Sequence, residues 1–542
     1  MKTTKYIIGV ALATMLIACS SDYENYVPEV EIPEEPTETI YFTEDELLVL
    51  MQMRNPDNRI CIDEATEIAL DALDFFDGEI NTRSGQARSI ADVTALRGEP
   101  ATRLTTRSAD GSDVKVQMPD TVAFVFNFAD DAGFTIVAAD TRITSPILAF
   151  VEDGNLDLSE ELDHSGLEVF FAGMEEYIEQ SIIEAEQLRE SLLEDILAKM
   201  DKIGVRDTIF HDDVNTRFVF IPDPGNYVEV GRTVRVTETP GAWSTVARVV
   251  PLSTVEWGQG FPFNDRLRRC PGSEDGGAPA GCVAVAVAML MAYWEHPRHM
   301  DGIVLDWRNV LHRYTGRSRF NSHENIRGTA LPPRPRSSAQ FTSSTQWVFK
   351  HSVSHLMQHI GWGVGMTHTC GNFGSYVRTN RMYRVIDFLH SMGYTGGHRE
   401  NFNTQVVINS LNNHSPVLAQ GSRSRVLWLE YRGHAWVIDG HLRRSREVLV
   451  TVTTFIYMEP VQRPGEPPRR GHTVVTTATH MRHELSPHYL HNNWGWDGRY
   501  NGFFVAGSFH VGDMRHGSYT RAAMADRNYR YGNVIFPNIR PR

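Results

Sequence analysis

Apolar and polar positions divide the chain into stretches of different character. Across residues 43–73, acidic residues lead into apolar positions spaced by three and four, the period of a helix with one buried face. Residues 85–112, rich in Arg, Ser, Thr and Gly, read as a loop. The apolar runs 121–128 and 134–139 are too short for helices, and Asp130-Asp131-Ala132-Gly133 between them has the composition of a turn. They predict a hairpin, which 146–151 extends into a sheet. Residues 167–200 carry a long acidic amphipathic helix pattern, and 201–240, with Pro222, Pro224, Gly225, Gly231 and Pro240, read as short strands and loops.

A second unit begins near residue 249. Residues 282–294 are apolar on nearly every side, the mark of a buried central helix. Residues 345–360 and 379–393 have helical spacing. From 417 onward the apolar runs shorten to 417–420, 436–438, 448–452, 474–477 and 503–505, each of strand length. A helical half followed by a β half is an α+β pattern.

The first residues are an address. Lys2 and Lys5 precede an apolar run from Tyr6 to Ala18, which is too short to span a bilayer and reads as a signal peptide over 1–18. Leu16-Ile17-Ala18-Cys19 resembles the bacterial lipobox, which implies cleavage before Cys19 and lipidation of that residue. The acidic run after it resembles the surface-export signal of Bacteroidetes lipoproteins. Residues 19–40 contain many Glu and Pro and no Lys or Arg, so they read as a flexible tether.

Charge sharpens the division. The net charge is −15, yet residues 20–230 hold 47 acids against 14 Lys and Arg, while 231–542 hold 20 acids against 36. Two units of opposite sign are expected to attract each other. The arginines of the basic half are scattered among Trp, Gly and Pro, which argues against nucleic acid as a partner. Five cysteines are too few for a disulfide scaffold; Cys270 and Cys370 are left open as a pair. The spacings of Cys270, Cys282 and nearby histidines match no common zinc site, so no metal or cofactor is expected.

The chemistry starts at Cys282. A cysteine in the first turn of a helix meets unsatisfied N–H groups and the positive end of the dipole, which favour thiolate. Thiol catalysis also needs a base. His434, flanked by Gly433, opens an apolar strand, expected to hold its ring at a strand edge. A third polar group orients such a base; Asn493 serves, with Trp494 shielding the bond from water and Asn492 as the fallback.

Four motifs together resemble the streptopain family of papain-like cysteine peptidases. They are Glu256-Trp-Gly-Gln259-Gly-Phe-Pro-Phe-Asn264, Ala280-Gly-Cys282-Val-Ala-Val-Ala, Gly433-His434-Ala-Trp-Val-Ile-Asp-Gly440 and His491-Asn-Asn493-Trp494-Gly-Trp496. The resemblance implies Cys282 as nucleophile, His434 as base and later acid, Gln259 as oxyanion donor, and Asn493 with Trp494 as the orienting pair; Asn264 is expected to be structural. It implies a two-lobed papain-like catalytic domain over 241–542, with a helical lobe carrying the Cys helix and a β lobe carrying His and Asn. Before it, 41–240 is expected to be an α+β inhibitory prodomain acting in cis, removed by a cut between residues 230 and 250. Protein or peptide substrates and a lipid-anchored, surface-exposed location in the outer membrane of a bacterial cell envelope follow from the same reading. The chain departs from the family in the long 440–493 connection, expected to form an extra hairpin or loop beside the active site. A papain-fold acyl transferase, or a surface binding protein on a degenerate peptidase fold, are the competing readings.

Overall fold

The computed structural model describes residues 43–542 except 54–56, 78–87, 98–102, 108–112, 118, 159–164, 204–226, 254, 272–275, 312–343, 371–373, 378–381, 426–431, 462–469, 510–528 and 532. The signal peptide, the tether and Cys19 lie outside the described residues. The chain forms two compact units, one of 59–183, 243–444 and 485–542, the other built from 1–58, 184–242 and 445–484.

An antiparallel sheet organises the first unit. Its strands run Ile90–Arg97, Thr121–Phe128, Phe134–Ala138, Ile147–Val151, Gly502–Val505, Tyr489–Asn493, Arg432–Pro460, Val417–Arg425, Val534–Phe536 and Glu400–Asn401. The predicted hairpin is present, with the left-handed residues Asp130, Asp131 and Gly133 at its turn. Sheet pairing passes from the early to the late sequence where Phe150 meets Phe503 and Val151 meets Gly502. A side chain at residue 502 would strike the Phe150 carbonyl, so glycine is required for that approach.

Strand alternation separates two cores. Trp436 and Ile438 face a cluster with Phe76, Phe150, Phe170, Trp494 and Phe504. Ala435 and Val437 face the other cluster, around the Cys282–Trp294 helix, with Leu356 and Phe388 from the Ser344–Val364 and Tyr383–Ser391 helices. All residues from Val283 to Ala292 are buried, as expected of a helix apolar on every side.

The other unit contains a short helix, Glu44–Met53, with Lys199 bonded to Glu46 at 2.6 Å, and the strand Tyr227–Pro240 paired along 448–460. The predicted hairpin in the 440–493 connection is there, formed by Arg432–Pro460 and His472–Leu485.

Four element boundaries differ from the sequence reading. The single helix expected over 43–73 is two, Glu44–Met53 and Ile62–Asp77, because Asn58 takes a left-handed φ of 52° that a helix cannot hold. The loop over 85–112 contains the strands Ile90–Arg97 and Arg103–Arg107. Ile90–Arg97 is largely exposed and set by backbone pairing with Thr121–Phe128, so no buried alternation betrays it. Residues 227–240 form one long strand, not several short ones, and the brief apolar runs at 436–438 and 474–477 are parts of long strands. Charged and polar residues such as Arg443, Arg444, Ser445, Arg446 and Glu447 separate the apolar runs, which hides one continuous strand from a pattern search.

Candidate active site

Cys282 is the first residue of its helix. The preceding Gly281 has φ of 90°, and a Cβ there would strike Met366 and crowd the Ser375 carbonyl. Ser375 Oγ donates to Pro279 O, and Ala280 N donates to Gln259 O at 2.8 Å. The turn presenting the thiol is therefore pinned from both sides, and Gln259 is tied by its backbone two residues ahead of Cys282. A disulfide between Cys270 and Cys370, with Cα atoms 5.4 Å apart, joins two flanking loops.

The Cys282 thiol is received by the backbone amides of Ala435, Val283 and Cys282 itself. Ala435 directly follows His434 in the strand. Burial pushes the thiol pKa up, and these amides pull it back. Burial also pushes His434 down to about 4, against the pull of the Trp494 carbonyl. Each group is thus held toward its neutral form.

His434 does not sit at a strand edge. It lies inside the strand, paired with Gly421, its ring 1% exposed and stacked on Trp436 at 6.1 Å. Gly421 is overlaid by Val169, into which a Cβ at this position would run. On the other side the Tyr489–Asn493 strand ends opposite Val437. The chain leaves the ladder there, and the Trp494 carbonyl turns to His434 Nε2 at 2.9 Å. A carbonyl only accepts, so Nε2 carries the proton and Nδ1 is the acceptor of the neutral ring.

Asn493 acts one step away from where it was expected. Its amide donates to Val255 O at 3.0 Å and Ser253 Oγ at 3.4 Å, and its oxygen accepts from Gly495 N at 3.3 Å. It braces both sides of Trp494, whose carbonyl meets the imidazole. Asn492 accepts from Trp436 Nε1 at 2.7 Å. Trp494 is fully buried, its ring centroid 6.0 Å from His434 and 5.2 Å from Trp436. Gly495, at φ 74°, rests on Val285, one turn into the Cys282–Trp294 helix. Asn264 is buried and donates to Gly277 O, in keeping with a structural part.

Sequence reasoning passed over Asp439, His491 and Ser253. His491 Nδ1 bonds Asp439 Oδ1 at 2.6 Å in a buried pair, and Asp439 Oδ2 accepts from Ser253 N at 3.0 Å. Both titratable residues stand inside quoted motifs, but their meeting depends on strand register.

Residues 257–504 match the Peptidase C10 family, and residues 59–178 match the Spi protease inhibitor family. The resemblance read from the four motifs is borne out by the first match, and the inhibitor-like early segment by the second. Among solved structures, a prointerpain A fragment from Prevotella intermedia is 15% identical, covering 80% of this chain and 98% of that chain, with a TM-score of 0.39. Active interpain A cysteine protease from the same organism is 18% identical, covering 58% of this chain and 98% of that chain, with a TM-score of 0.29. No curated protein matches.

Proposed function

We propose that this cysteine endopeptidase, a C10-type segment behind a Spi-type inhibitor segment, is a lipid-anchored zymogen that cleaves proteins through Cys282 and His434. The observation that carries the mechanism is the thiol at a helix start, held by the amide of Ala435, the residue that follows His434, whose imidazole proton is fixed on the Trp494 carbonyl. The thiol proton passes to His434 Nδ1 and the sulfur attacks the peptide carbonyl carbon. Gln259 donates to the oxyanion that forms. As the C–N bond breaks, the imidazolium returns its proton to the leaving amine, leaving a thioester. Water attacks the thioester, His434 takes its proton, and the acid product departs as the thiol is restored. Asn493 and Trp494 hold the imidazole in the tautomer these steps need.

Latency follows from the placement of the inhibitor-type segment. Its strand Ile147–Val151 extends the catalytic sheet, and Val169 lies over Gly421, the partner of His434. The Cys270–Cys370 disulfide supports export to an oxidising compartment, in line with the lipobox at Cys19 and a surface location on the outer membrane.

The decisive test is Cys282→Ala in activated protein. Hydrolysis of casein is expected to fall about 10⁴-fold or more; retained hydrolysis would sink the mechanism. For the anchor, intact mass and detergent partitioning of Cys19→Ser are compared with the parent. An unmodified Cys19 in the parent would remove the anchor from the proposal.

A further inference from the structure

A pair of buried charges lies behind the site. His491 is 3% exposed and Asp439 1% exposed, with Nδ1 and Oδ1 2.6 Å apart. The pairing register slips between Ile438 and Gly440, leaving Asp439 as the extra residue of a bulge. A bulge re-aims a side chain, and here it turns the carboxylate toward His491 and Ser253. Gly440 must lack a side chain, since a Cβ would meet the Val249 carbonyl and the His491 Cβ.

The pair is wired to both sides of the chemistry. Asp439 accepts from Ser253 N through its carboxylate and from Leu252 N through its backbone carbonyl, at 3.0 and 2.8 Å. These bonds hold the segment that runs on to Gln259. Ser253 Oγ and Val255 O receive the Asn493 amide, and Asn493 in turn holds Gly495 N. Between Asn493 and Gly495 stands Trp494, whose carbonyl fixes His434. Two further features face His491: Glu152 from the inhibitor-type segment, with Oε1 3.9 Å from Nε2, and the edge of Phe503 at 5.1 Å.

We propose that Asp439 and His491 are positioning residues for catalysis, a buried ion pair that sets the Trp494 carbonyl against His434 and the Leu252–Val255 segment behind Gln259. Burying two charges is costly, and replacing such a pair by uncharged groups is often neutral for stability. A role in positioning explains charges that stability alone does not require. The inference rests on Cys282 and His434 being nucleophile and base.

The test compares full-length protein, activated identically, as wild type, His491→Gln, and Asp439→Asn/His491→Gln, the last leaving no lone buried charge. Because the Trp494 carbonyl supports the imidazolium, its displacement lowers the thiolate fraction at Cys282. In folded variants kcat is expected to fall about tenfold or more with KM within about twofold, as for lost outer support of a site. Iodoacetamide alkylation of the Cys282 peptide at pH 7, read by mass spectrometry, should slow in parallel, with N-acetylcysteine added to the same tube as the reference. Unchanged kcat and alkylation in folded variants would overturn the proposal. If both variants fail to fold, Ser253→Ala decides: it keeps the amide bond to Asp439 and removes only the hydroxyl link, so unchanged kcat overturns the proposal and a drop in kcat with unchanged melting supports it. A Cys282→Ala variant that stays active would instead refute the underlying mechanism, which separates the two failures.

Discussion

His434 and His491 stand on neighbouring strands with opposite proton preferences. Burial drives His434 down to about 4, with only the Trp494 carbonyl opposing it. Burial disfavours charge on His491 too, but Asp439 and Glu152 outweigh it and raise His491 to about 9. The linkage signs follow. His434 excludes a proton that the unfolded chain accepts below 6.5, so its stability is present above 6.5 and lost as pH falls toward 4. His491 keeps a proton that the unfolded chain releases, so its stability is present below 6.5 and lost as pH rises through 9. Stability should peak near neutrality. Between pH 6.5 and 9, His491→Gln should flatten a decline of at most about 1.4 kcal/mol per pH unit, measured by urea unfolding. An equal slope in the variant would refute the assignment. Cys282 and His434 stand out in the sequence as the proposed catalytic pair because helix start, flanking glycine and motif order point to them. The part of Asn493 was legible only as to its neighbourhood. Which atom accepts from His434 depends on where a strand stops pairing.

At the scale of elements, residues with a strong apolar period match the structure: the Cys282–Trp294 helix, the hairpin around Gly133 and the Ser165–Ile203 helix. In these, burial and local pattern demand the same structure. The misses share a cause. Ile90–Arg97 buries little and is a strand because Thr121–Phe128 is beside it. The Tyr227–Pro240 strand is likewise set by its pairing along 448–460. In Ile90–Arg97 that pairing leaves no buried alternation, while Tyr227–Pro240 carries valines at 228, 230, 234 and 236 whose alternation is interrupted by Gly231 and Arg232. The Asp439 bulge was equally invisible, since one extra residue in a ladder is a relation between two strands.

At the scale of the whole chain, the acidic early half and basic late half predict attraction; besides Glu152 at 3.9 Å from His491, the junction holds apolar and aromatic contacts. Phe76 stacks on Phe150 at 4.6 Å and meets Tyr489 and Phe503, Phe170 packs on Phe504, and Tyr489 Oη donates to Ile147 O. Long-range charge then speeds association, while buried apolar contact and sheet pairing hold the segments together. In protein cut between residues 230 and 250 but still associated, raising salt from 0.1 to 1 M should slow rebinding of the inhibitor segment and leave its dissociation rate nearly unchanged. Phe76→Ala should speed dissociation at every salt concentration, since truncating a buried Phe costs about 3–5 kcal/mol. Surface plasmon resonance reads both rates, and a dissociation rate that climbs steeply with salt would contradict this division. By itself the sequence determined the peptidase resemblance, the α+β class and the inhibitor-like first half, and singled out Cys282 and His434 as the proposed nucleophile and base, because those rest on residue chemistry, local period and motif order. Only the tertiary structure decided that the Trp494 carbonyl holds His434, that Cys270 pairs with Cys370 and that Asp439 meets His491 beneath the site. Each depends on the register and ending of strands far apart in the chain, a relation between segments that neither segment encodes alone.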